Sequence, residues 1–182
     1  MNIRLSAELA MAVSLAVVLD LLSKTLPIPR LPYGGSVSLR TLPLLAVALR
    51  RGTRAGATAG IAYGVVDFLL GPHYLHPVQA LLDYPVAFGG LGMAGLVTGW
   101  GTQGWRSRLA LVAGVLLGSS ARFLVHFASG VVFFASFAPP GQPVWLYSLL
   151  YNAFYIVPET IISILLLQLV LRHLGSHHEC AG

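Results

Sequence analysis

Apolar runs long enough to cross a bilayer recur along this chain, and its few charged residues lie in short clusters between them or interrupt them singly. A spanning helix needs about 20 mostly apolar residues at 1.5 Å rise each. The runs predict six helices, at about 5–26, 37–49, 55–70, 78–98, 109–134 and 145–171. The second is short, and its purely apolar part, LPLLAVAL, is shorter still. It can sit at membrane depth only if neighbours cover it or it lines a cavity. Only 9% of the residues are charged and 56% are hydrophobic, with a mean hydropathy of +0.78. A soluble domain carries about 25% charged residues, so there is too little polar surface here to coat a water-soluble globule. The expected fold class is an all-α integral membrane protein of six transmembrane helices. Its 182 residues suit one domain over 1–174, with a short polar tail over 175–182.

Topology follows from where Lys and Arg fall. Arg4, the RRGTR loop (Arg50, Arg51, Arg54), the WRSR loop (Arg106, Arg108) and Arg172 share one side. Lys24, Arg30 and Arg40 fall on the other, where the GPHYLHP and ASFAPPGQPV loops carry no Lys or Arg at all. Both termini and the arginine loops are therefore expected in the cytoplasm, in the cell membrane of a prokaryote. The excess of +5 is explained by these clusters and not by a basic face, which argues against nucleic acid. The run after Arg4 leads into Asp20, Lys24 and prolines without a clean small-residue cleavage site, and reads as a retained helix. Cys180, beside His177 and His178, lies in the polar tail without metal-ligand spacing. The first outer loop, PIPRLPYGG, reads as a connector, although it is long enough to act as a flap.

Asp83 interrupts the fourth apolar run, with Tyr84 beside it. A carboxylate in such a segment is costly and marks a functional site whose partner should be sought. The topology puts Asp83 and Tyr84 within about two turns of the outer surface. In the outer half of the fifth run, His126, Gly130 and Phe134 recur at four-residue spacing and share a helical face. The first two turns of the sixth carry Trp145, Tyr147, Tyr151 and Asn152. Three helices thus bring a carboxylate, an imidazole, an amide and aromatic faces to one depth, with a glycine leaving room for a flat ligand. Aromatic faces attract a cation and a carboxylate accepts from an amine, so the set suits a small planar ligand with positive charge and ring nitrogens. Asp83 could instead pair with Arg122. A Glu159–Arg122 pair would satisfy both of those groups at similar depth. Asp67 could edge the pocket, and Asp20, near a helix end, is expected to be wetted. Gly56, Gly60 and Gly64 at four-residue spacing, and GLGMAG in the fourth run, read as close helix packing.

No HExxH, GxSxG or supported Ser–Lys pair occurs, and there is no nucleotide-binding motif or run of acids for a metal. Neither an enzyme nor a cofactor is expected, and ATP hydrolysis would have to come from other chains.

The segments ELAMAVSLA, LPLLAVALRRGTRAGATAGIAYG, HPVQALLDYPVAF with GLGMAGL, HFASGVVFF and WLYSLLYN together resemble the thiamine-specific substrate-binding (S) component of energy-coupling factor (ECF) vitamin transporters, over nearly the whole length. The resemblance implies six helices with thiamine bound near the outer face under the first loop. It implies contacts from Asp83, Tyr84, His126, Gly130, Phe134, Tyr147 and Asn152. Small residues of the first helix, Ala10 and Ser14 with Ala12 and Ala16 on a neighbouring face, would dock a transmembrane coupling protein that joins two ATPases. The chain departs from some members in having Asp83 for glutamate, glycine near Gly34 for tryptophan and Phe134 for tryptophan. Thiamine, with its thiazolium charge and aminopyrimidine edge, also fits the pocket chemistry on its own. The other readings are an S component for another vitamin or a thiamine precursor, and a stand-alone proton-linked carrier using Asp83, His126 and Glu159.

Overall fold

The computed structural model describes residues 3–25, 31–32, 35–71, 73–99 and 104–179; for 104–106 and 171–179 it describes the backbone alone. Among the described residues, six long helices form: α1 (Ile3–Thr25), α2 (Thr41–Arg51), α3 (Thr53–Leu70), α4 (Pro77–Val97), α5 (Gly104–Phe133) and α6 (Val144–Glu179). The protein is all-helical, as its apolar runs imply. The last helix continues past residue 174 into the segment read as a tail. Gly34 and Cys180 lie outside the described residues, as do the side chains of His177 and His178.

α1, α4, α5 and α6 are long and apolar enough to cross a membrane. α2 has only 11 residues. Its neighbours cover it: Leu44, Leu45 and Ala48 are fully buried in the core, with Ala16, Ala59, Tyr63, Leu91 and Val115 around them. Its backbone is thus protected by protein where lipid could not satisfy it. α1 turns Ile3, Met11, Leu15, Val18 and Leu22 outward and buries Leu9, Ala12 and Ala16. Ala10 and Ser14 are exposed. Ala12 and Ala16, expected to join them at a partner, face the core instead, because α1 must turn one stripe toward α2 and α3.

α3 and α4 meet backbone to backbone. A Cβ at Gly60 would stand 2.1 Å from the carbonyl oxygen of Phe88, and one at Gly64 would stand 2.5 Å from that of Tyr84. From the other side, a Cβ at Gly92 would lie 2.5 Å from the Ala57 nitrogen and one at Gly95 would lie 2.2 Å from that of Thr53. Small residues replace the hydrophobic effect here, since lipid tails are as apolar as the side chains. The four-residue glycine spacing is therefore a packing signal.

The charges at depth form one network. Arg40, just before α2, reaches Asp20 of α1 at 3.2 Å, Asp67 of α3 at 3.5 Å and Glu159 of α6 at 4.0 Å. Glu159 also pairs with Arg122 of α5 and accepts from the Ser38 amide at 2.9 Å. Asp20 takes Lys24 at 2.7 Å and the Ser38 hydroxyl at 3.1 Å. The Glu159–Arg122 pair is as anticipated. Asp20 is not wetted: it is 4% exposed, because Arg40 and Ser38 fold over it.

Two stability predictions follow from this packing. Gly60→Ala should destabilise by about 1–3 kcal/mol through overpacking, read as a shift in the equilibrium unfolding midpoint in SDS–detergent mixtures; an unchanged midpoint would refute the close approach. Glu159→Gln strands Arg122 and should cost about 3–5 kcal/mol, whereas a paired apolar replacement of both residues should recover much of the loss. Equal losses in the single and double variants would show that the pair is not the cause.

Candidate ligand-binding site

The fourth helix is not a regular one. It begins as α-helix with Pro77 in its first turn, where a missing N–H costs nothing, and with His76 as its cap: the imidazole Nδ1 accepts from the Val78 amide at 3.1 Å. Over Leu82–Val86 it widens into a π turn that contains Pro85. Proline cannot donate and crowds the preceding turn, and one inserted residue relieves both problems. Asp83 and Tyr84 sit in this turn and both line the cavity. After Gly90 the helix tightens to 3-10 geometry over Leu91–Val97, where its glycines press on α3.

Asp83 is held by three groups. His126 Nδ1 stands 3.0 Å from one carboxylate oxygen. The other oxygen accepts from Ser129 at 3.0 Å and from the Gln79 side-chain amide. Gln79 is fixed in turn, since its carbonyl oxygen accepts from the Leu75 amide at 3.0 Å. Arg122 is not a partner of Asp83; its charge is taken by Glu159. The Tyr84 hydroxyl accepts from the His73 amide at 2.8 Å, tying that residue to the helix.

α6 carries a ladder at four-residue spacing. Tyr147, Tyr151 and Tyr155 follow each other with ring centroids 6.0 and 6.1 Å apart. Beside them Asn152 donates to the Ser148 carbonyl at 2.9 Å and accepts from the Tyr155 hydroxyl at 2.7 Å. The Tyr151 hydroxyl accepts from the Gly35 amide at 3.0 Å and donates to the Pro32 carbonyl, which pins the first loop to α6. Gly130 has a packing role: a Cβ there would stand 2.2 Å from Ser148 Oγ. It lets α5 and α6 approach, and any room for a ligand is secondary.

These groups surround one cavity of about 480 Å³, within the range of small-molecule sites. Asp83, Tyr84, His126, Gly130, Phe134, Tyr147 and Asn152, all singled out from sequence, line it. Leu31, Pro32, Gly35, Ser36, Gly71 and His73 line it from the proline-rich loops, which puts it at that end of the bundle. Asp67 edges it, as expected. Tyr151, noted beside Tyr147, lines it too; sequence reasoning missed Arg40, Gln79 and Tyr155 as lining residues. Gln79 and Tyr155 stand at α-helical spacing from Asp83 and Tyr151, a signal that could have found both. Arg40 and Arg122 lie 5.4 and 4.8 Å from the centre of the Phe88 ring, so two buried guanidinium groups share one aromatic ring.

Comparison with known proteins agrees with this architecture. The profile of the thiamine transporter protein family (Thia_YuaJ) matches residues 6–178. The thiamine transporter ThiT of Bacillus subtilis (strain 168) is 41% identical over 170 residues, 90% of this chain and 88% of that protein. ThiT of Lacticaseibacillus paracasei (strain ATCC 334) is 33% identical over 140 residues, 71% of this chain and 70% of that protein. A solved structure of ThiT from Listeria monocytogenes superposes with a TM-score of 0.80, covering 94% of this chain and 96% of that one; at 24% identity it speaks to the fold alone. Together with four membrane-crossing helices, these bacterial relatives make this a multi-pass protein of a prokaryotic cell membrane. The chain belongs to the thiamine transporter family.

Proposed function

We propose that this chain is the substrate-binding component of an ECF-type vitamin importer, that it binds thiamine at the outer face, and that a transmembrane coupling protein and two ATPases deliver the vitamin to the cytoplasm. The observation that carries the reading is that all seven anticipated contact residues line one cavity at the proline-rich end. Thiamine offers what these walls can use. The aromatic rings of Tyr84, Phe134, Tyr147 and Tyr151 face its flat heterocycles. Asp83 and Asp67 supply negative charge toward the thiazolium. His126 and Asn152 offer polar edges to the aminopyrimidine. The proline-rich end is outside and both termini are cytoplasmic, in line with the arginine clusters at the other end. Residues 175–182 form a cytoplasmic tail to a single domain. Ala10 and Ser14, small and outward on α1, are the surface offered to the coupling protein. The protein itself does no chemistry on the vitamin and needs no cofactor.

Purified protein titrated with thiamine should give a saturable change in tryptophan fluorescence with Kd well below about 1 μM, equivalent to more than about 8 kcal/mol. Riboflavin or biotin at the same concentrations should give none. The absence of a saturable signal, or equal binding of an uncharged vitamin, would overturn the ligand assignment. Vesicles containing this chain alone should accumulate no thiamine, and uptake should appear when the coupling protein, the ATPases and ATP are added. Accumulation by the chain alone on a proton gradient would establish a stand-alone carrier instead.

A further inference from the structure

The two oxygens of Asp83 already take His126, Ser129 and Gln79, three of the roughly four hydrogen bonds that a carboxylate accepts. What remains unexplained is the far side of the imidazole. His126 Nε2 is buried and has no hydrogen-bond partner among the described residues, and His126 lines the cavity. A buried polar atom left without a partner is costly, so this atom is poised for a partner that a ligand can bring.

Chemistry decides which kind. An ionised carboxylate only accepts, so the hydrogen between Asp83 and His126 belongs to Nδ1. In the neutral ring that leaves Nε2 with a lone pair, as an acceptor. A second proton would instead leave a buried N–H without an acceptor. We propose that Asp83 is a positioning residue, which locks His126 in the Nδ1–H form so that Nε2 accepts from an exocyclic amine on the ligand's ring. The site thereby selects amino-substituted over oxo-substituted heterocycles. This rests on the thiamine reading, whose pyrimidine carries such an amine.

The surroundings make the lock reversible by one substitution. The Gln79 amide is oriented by Leu75, so its –NH₂ always faces residue 83. In Asp83→Asn the new amide must turn its oxygen to Gln79, and its own –NH₂ then faces His126 Nδ1. The ring must accept there, its proton moves to Nε2, and the cavity now meets a donor where it met an acceptor.

The test pairs two measurements. Thiamine is compared with its 4-oxo analogue by titration calorimetry, and the His126 tautomer is read without ligand from imidazole ¹⁵N shifts in ¹⁵N-histidine-labelled protein. The wild type should prefer thiamine by about tenfold or more and show Nδ1–H. Asp83→Asn should reduce that preference at least tenfold or invert it, with Nε2–H. Asp83→Glu, which keeps the carboxylate, should retain the wild-type order. Nε2–H or a doubly protonated ring in the wild type would overturn the inference, a result that needs no variant to fold. So would equal weakening of both ligands in Asp83→Asn with the tautomer unchanged. If the wild type binds neither ligand, the thiamine reading fails, and the ¹⁵N shifts still decide whether Asp83 sets the tautomer.

Discussion

The structure depends on a closed set of buried charges. Arg40 and Arg122 are interleaved with Asp20, Asp67 and Glu159, and the exposed Lys24 closes the set at Asp20. Removing any one partner leaves an uncompensated charge in a medium of low dielectric, so the elements that carry them are fixed in register together. Those elements are α1, α2, α3, α5 and α6, and α4 adds the Phe88 ring on which two of the cations rest. α2 is too short to anchor itself in a bilayer. It is held by the arginine at its head and by the apolar residues behind it.

The cavity is built on that floor. Arg40, Asp67 and Arg122 belong both to the charge network and to the cavity wall. Asp83 then does local work, gathering α4 and α5 through Gln79, His126 and Ser129. The Tyr151 hydroxyl plays the same part between α6 and the first loop. Each wall of the site is thus joined to the next by a polar contact, which is how side chains from distant stretches of chain keep one geometry.

Much of this was legible in the chain. Apolar runs located all six helices, glycine spacing located the α3–α4 seam, and the depth of Asp83, His126 and Tyr147 located the cavity. The misses share a cause. Asp20 and Arg40 lie near helix ends, where a charge reads as wetted; only the fold of residues 35–40 over them reveals their burial. Ser129 and Gln79 barely disturb hydropathy, and only the helical spacing of Gln79 from Asp83 points to either beside the conspicuous acid. Ala12 and Ala16 share the small size of Ala10 and Ser14, and size does not tell which stripe of α1 turns inward. The π turn was written in the Asp-Tyr-Pro order, since a proline inside an apolar run must distort its helix, but the form of the distortion depends on neighbouring helices.

The glycine seam has a mechanical consequence. Where two helices touch through main-chain atoms, there are no rotamers to change and no soft layer to compress. α3 and α4 therefore behave as a single plate, and Tyr84, Asp83 and Phe88 ride on it as rigid fittings. On the opposite side of the cavity the contact is of another kind: Pro32 and Gly35 meet α6 through the two hydrogen bonds of one phenol, a side chain that has rotamers to change.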